Sequence, residues 1–225
     1  MSEPGQEAIL ADDLSLERPL LRGVFHLCAA IVATLGAVVL LLVADSPRAY
    51  IGGAIFAASL LLLYWTSAGY HRIRWRPSLW AVIRRLDHST ALVLIAGTYT
   101  PFCLIVLEKA WGISMLSLVW GIAGAGILMN LVWPDTPRWL RVTLYVALGW
   151  LGLAAAAELA ARMTVIPLVL LALGGALYTL GGVVYAVRKP DPWPRVLGHL
   201  EVFHLLVVAG SALHYSLVAI YVLPN

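Results

Sequence analysis

The chain has 225 residues, of which 61% are hydrophobic and only 12% charged, about half the charged share of an ordinary soluble domain. Its mean hydropathy is +0.88, and 15 basic and 12 acidic residues are too few to cover a globular exterior of this size, which excludes a soluble enzyme. The net charge of +3 does not point to nucleic acid, because that reading needs basic residues clustered on a soluble face.

In chain order, residues 1–20 read as a polar, acidic leader carrying Glu3, Glu7, Asp12, Asp13 and Glu17. It has no basic n-region and no small-residue cleavage site, so no secretory signal peptide is expected and the first apolar helix directs insertion. Residues 21–225 then read as a single transmembrane domain. Uncharged apolar stretches of roughly 18–25 residues mark helices able to cross a bilayer, and seven occur, at 21–43, 50–70, 87–107, 111–133, 142–159, 164–187 and 202–223. The fold class is therefore all-α, a polytopic seven-transmembrane-helix bundle.

Several features recur along these spans. Cys28 and Cys103 sit far apart in apolar runs and read as buried packing residues, with no disulfide framework or CxxC motif. Pro101, following Thr98 and Thr100, removes a backbone donor from the third span and predicts a local kink. Gly121, Gly124 and Gly126, the alanine run at 154–157, and Gly174, Gly175, Gly181 and Gly182 predict close helix approach, since lipid supplies no hydrophobic drive for association. Trp75, Trp80, Trp133, Trp139 and Trp193 fall near one boundary and Trp111 near the other, as interfacial anchors do.

The basic residues set the orientation. With the N-terminus cytoplasmic, the inner segments hold Arg18, Arg22, Arg72, Arg74, Arg76, Arg84, Arg85, Arg138, Arg141, Arg188, Lys189 and Arg195. The outer loops keep only Arg48, Lys109 and Arg162. The positive-inside rule thus places the N-terminus inside and the C-terminus outside, in the inner or plasma membrane of the cell.

Ionisable groups at membrane depth cost ~2.5–3.5 kcal/mol each even on the gentler insertion scale, so each needs a reason. In this orientation they gather at the cytoplasmic end. The second helix closes with Ser67 and His71 at i, i+4 on one face; the third opens with Asp87 and His88; the seventh opens with His199, Glu201 and His204; and His26 lies about one turn into the first. Imidazoles and carboxylates converging from separate helices suit a borderline-soft divalent ion, zinc above all. His71 and His204 are the stronger pair, each with a hydroxyl or carboxylate one turn away. His26 and His88, taken singly, read as packing or hydrogen-bonding histidines. His214, ten residues after His204, stands ~15 Å further along the axis and cannot bind the same ion.

These residues also carry a resemblance. The acidic leader with His26, Ser67-xxx-His71, Leu86-Asp87-His88-Ser89 running on to the 97–102 segment, and Glu201-Val-Phe-His204 running on to His214, in that order on seven helices, resemble the hemolysin III family, the bacterial branch of the progestin and adiponectin receptor (PAQR) family. The resemblance covers nearly the whole chain. It implies a zinc ion (Zn2+) near the cytoplasmic face, held by His71, by His204 and by a second seventh-helix histidine, with a water held by Ser67 and Asp87. That second histidine normally stands four residues before His204, where this chain has Leu200. His199 lies ~140° around an ideal helix from His204 and Glu201 ~60°. His199 is the preferred third ligand because a segment starting at Gly198 need not yet be helical, with Glu201, or an altered site, as the alternatives.

The function implied is metal-dependent hydrolysis of a lipid amide of the ceramide type, with Asp87 as general base and Ser67 as its hydrogen-bonding partner. A second reading is a non-enzymatic regulator or sensor of membrane fluidity and energetics with a structural zinc. A pore-forming cytolysin ranks below both, because polar residues concentrate at one end instead of lining a path. The expected partners are membrane lipids, with self-association left open and nucleic acid excluded.

Overall fold

A computed structural model describes residues 19–133 and 135–224. The acidic leader lies, up to residue 18, outside the described residues. Seven helices are long and apolar enough to cross a membrane: α1 Val24–Leu42, α2 Pro47–Arg72, α3 Pro77–Val106, α4 Lys109–Val132, α5 Arg138–Arg162, α6 Val165–Val187 and α7 His199–Val222. Among the described residues the only β feature is an isolated bridge between Trp193 and Leu197.

Side-chain caps help to start α2 and α4. Ser46 caps α2 by accepting from the Ala49 N–H at 3.2 Å, with Pro47 in the first turn. Glu108 does the same for α4, accepting from the Ala110 and Trp111 N–H groups. The exteriors of the helices are apolar, as in Ile31, Val32, Leu35 and Val38 of α1, which is the surface a bilayer solvates.

α1 packs on α2, α2 along α3, and α3 on α4, while α7 packs along α6 and meets α1, so the first and last of these helices close the bundle against each other. One set of polar contacts between helices falls where the backbone is irregular. Pro101 is followed by a π-turn over Phe102–Val106, the form the expected disturbance takes in α3. α5 is interrupted by a 3-10 turn over Leu151–Ala155, and the Tyr99 hydroxyl of α3 stitches it, accepting from the Gly152 N–H and donating to the Gly149 carbonyl, both at 2.7 Å. Backbone groups freed at membrane depth are thereby satisfied inside the protein.

Several expectations need correction. α3 begins ten residues before the apolar window, because Arg84 and Arg85 are carried on helix already formed; the Arg84 guanidinium lies 5.2 Å from the Trp80 ring and 3.9 Å from Asp135. Trp80 is accordingly buried, at 4% exposure, and packs beside Tyr70, while Trp133, Trp139 and Trp193 are exposed. Cys103 is buried but Cys28 is exposed on α1, since an apolar run does not reveal which face meets lipid. The small residues divide likewise: Gly126, Gly174, Gly181 and Gly182 face neighbouring helices, whereas Gly121, Gly124 and Gly175 face open space.

Candidate metal centre

Three chain segments meet at the arginine-rich end of the bundle. Residues 20 and 21, just before α1, donate backbone hydrogen bonds to the carbonyls of Arg195 and Val196 in the α6–α7 connection, at 3.0 and 3.2 Å. This ties the start of α1 to the start of α7. Gly23 then caps α1 at φ 72°, a left-handed conformation that glycine adopts without strain. Its α-carbon faces the end of α2 so closely that a Cβ would stand 2.8 Å from the Cβ of His71. Gly23 thus fixes how near α1 begins to the histidine of α2.

The Gly23→Ala variant is expected to lose about 1–2 kcal/mol from backbone strain alone, with a further loss from the contact with His71. Gly121→Ala, with nothing within 4 Å, serves as a control expected to be neutral or slightly stabilising. Comparison of the two unfolding midpoints in detergent checks this; equal midpoints would remove Gly23 from any positioning role.

One turn into α1, His26 is 2% exposed; at the end of α2, Ser67 is 2% and His71 9% exposed; on α7, His204 is 3% exposed. The His204 ring is the hub. Its centroid lies 4.0 Å from that of His26 and 4.8 Å from that of His71. Tyr64, two turns before His71, contributes an edge contact to His26 at 5.2 Å. Both ring nitrogens of His26 and Nδ1 of His204 are buried without a hydrogen-bond partner. Such atoms are costly to desolvate and leave unsatisfied. Among the described residues no three His, Cys, Asp or Glu side chains already converge as a ligand set; the His26 and His204 rings lie tilted at 34° and His71 meets His204 edge-on. Their chemistry fits a divalent metal nonetheless: neutral imidazoles are zinc's commonest nitrogen donors, and lone pairs left orphaned in a dry site are what an ion would satisfy.

The two residues weighed for the third ligand are placed elsewhere. Glu201 is fully buried, with Oε1 accepting from Arg22 Nε at 2.6 Å and Oε2 from the Gly198 N–H at 2.9 Å. It caps α7 and neutralises Arg22 with its two oxygens. His199 turns to the loop, where its N–H donates to Asp191 Oδ1 at 2.6 Å and its Nδ1 lies 3.0 Å from the same oxygen. Burial pushes the Asp191 carboxyl up, but these hydrogen bonds outweigh it and hold it below the ordinary carboxylate range. The structure therefore brings His71 and His204 together and adds His26, while His199 is engaged outside the cluster.

Asp87 and His88 stand half-buried on α3, which packs along α2. The Thr90 hydroxyl donates to the Asp87 carbonyl, and Tyr145 of α5 donates to that of His88 at 2.7 Å. His214 is separate, its ring seated on Gly174 with Nε2 3.2 Å from the Leu171 carbonyl. Sequence reasoning counted Arg22 only as a topological charge and gave His26 a packing role. No periodic signal could have paired them, because the left-handed Gly23 stands between Arg22 and the start of the helix that carries His26.

A family model described as Haemolysin-III related matches residues 14–215. The chain belongs to this haemolysin-III related family. It is 35% identical over 167 residues to the "Hemolysin-3 homolog" of Bacillus subtilis (strain 168), covering 74% of this chain and 75% of that protein. It is 29% identical over 215 residues to "Hemolysin-3" of Bacillus cereus, covering 93% and 94% respectively. A more distant likeness, 28% over 187 residues, joins it to "Heptahelical transmembrane protein ADIPOR1" of Oryza sativa subsp. japonica, covering 75% of this chain and 49% of that one. No solved structure matches the chain. This haemolysin-III family member is thus a multi-pass protein of the cell membrane, related to the adiponectin-receptor-like heptahelical proteins.

Proposed function

We propose that the histidine cluster at the arginine-rich end is a zinc centre at the cytoplasmic face, and that the protein hydrolyses a lipid amide of the ceramide type there. The observation that carries this reading is the cluster of three buried imidazoles from α1, α2 and α7, in which both ring nitrogens of His26 and Nδ1 of His204 have no hydrogen-bond partner. When bound, zinc supplies a Lewis acid that polarises a carbonyl and makes water a usable nucleophile near neutral pH. His71 and His204 hold the ion. Asp87, half-buried on α3, takes a proton from the attacking water as its oxygen bonds to the amide carbon. As the carbon–nitrogen bond breaks, Asp87 returns that proton to the leaving nitrogen, yielding a carboxylic acid and an amine. Ser67, buried one turn before His71, orients the water by hydrogen bonding. A site between helices at the interface favours an amphipathic substrate whose polar group reaches the cluster while its chains stay in lipid.

The test is release of fatty acid from a ceramide-type substrate in mixed micelles by the purified protein and by His71→Ala. Removing a nucleophile-activating metal ligand should lower turnover by at least about a hundredfold; equal rates would remove His71 from catalysis. The burial of all three rings also supports a second reading, in which zinc is structural and the bundle regulates the membrane. Stoichiometric zinc without hydrolysis of any lipid amide would select it.

A further inference from the structure

We infer that His26 of α1 is the third protein ligand of the metal centre, in the role that position 200 cannot fill here because it is leucine. This deepens the zinc reading and rests on it. Zinc needs at least three protein donors to be held while one position stays open. Two come from His71 and His204, and the remaining donors on α7 are committed: Glu201 to Arg22 and to the Gly198 N–H, His199 to Asp191.

His26 has the properties the missing donor requires. It is 2% exposed, its ring is 4.0 Å from that of His204, and neither of its nitrogens has a hydrogen-bond partner. Two imidazoles on one zinc, with Zn–N about 2.0–2.1 Å, have centroids about 5 Å apart. The His71–His204 separation of 4.8 Å matches this, and the His26–His204 separation of 4.0 Å is reached by parting the two rings about 1 Å. The backbone that carries His26 is anchored on both sides: Gly23 is pressed against His71, and residues 20–22 are bound to the start of α7 by two backbone hydrogen bonds and the Arg22–Glu201 pair. A ligand needs this kind of fixed placement more than a packing residue does. His26 is one of only three buried residues of α1, with Ala30 and Leu40, so metal ligation would pin its end to the bundle.

The experiment measures zinc in the detergent-purified full chain by elemental analysis and by competition with a chromophoric chelator, using zinc as the probe. The variants are His26→Ala, His199→Ala, and His26→Ala combined with Leu200→His. X-ray absorption at zinc counts imidazoles in the parent. His26 ligation predicts three imidazoles in the parent, affinity unchanged in His199→Ala, and affinity lowered at least about a hundredfold in His26→Ala, beyond what loss of a ligand's hydrogen-bond partner causes. Leu200→His, one turn from His204 on the same face, should recover much of that loss, which also shows that the His26→Ala chain folds. Parent-like zinc affinity in His26→Ala, or two imidazoles in the parent, would overturn the assignment of His26 while leaving the zinc centre standing. A parent that takes up no zinc would overturn both together.

Discussion

Arg22→Met, with Glu201 left in place, is expected to destabilise the protein by about 3–5 kcal/mol, the usual result of stripping one partner from a buried ion pair. Glu201 is fully buried and Arg22 nearly so, at 15% side-chain exposure, with 2.6 Å between Nε and Oε1. Removing the guanidinium leaves a carboxylate in a setting with little water to replace it. The double variant Arg22→Met with Glu201→Leu removes both charges and should recover most of the loss. A remainder of about 1 kcal/mol should persist, because Glu201 also caps the start of α7 through the Gly198 N–H. Equilibrium unfolding in a mild detergent distinguishes these cases. If Arg22→Met matches the parent, the pair does not hold the starts of α1 and α7 together.

His204→Ala is expected to have the largest effect of any single histidine change on metal binding. Its ring is the one that touches both other imidazoles, at 4.0 and 4.8 Å, so its loss separates His26 from His71 as well as deleting a donor. Zinc affinity should fall by more than the roughly 10- to 100-fold that follows loss of a ligand's hydrogen-bond partner. His214→Ala should leave affinity unchanged, because that ring sits on Gly174 and reaches the Leu171 carbonyl instead. Comparable losses in the two variants would show general destabilisation and not a local centre.

The seven spans were legible because an apolar run long enough to cross a bilayer has few other uses, and each apolar window lies within or close to an observed helix. Helix ends were less legible. Charge closes an apolar window but not a helix, so α3 extends to Pro77 through Arg84 and Arg85. Convergence at one end was also readable from the chain: Ser67 and His71 close α2, His26 stands at the start of α1, and Glu201 and His204 stand at the start of α7. Rotation about each helix axis was not readable. It separates Cys28, turned outward, from His26 two residues earlier, turned inward, and depends on the Gly23 contact and the Arg22–Glu201 pair. His199 illustrates the same limit, since its direction is set by Asp191 eight residues away in a loop with no periodic signal.

Zinc content of the purified parent chain, set beside that of the His71→Ala, His204→Ala double variant, tests the centre most directly. A zinc centre predicts one zinc ion per chain in the parent and none in the double variant, with both proteins equally folded. Absence of stoichiometric zinc from the folded parent, or its full retention in the double variant, would contradict a metal centre built on these histidines.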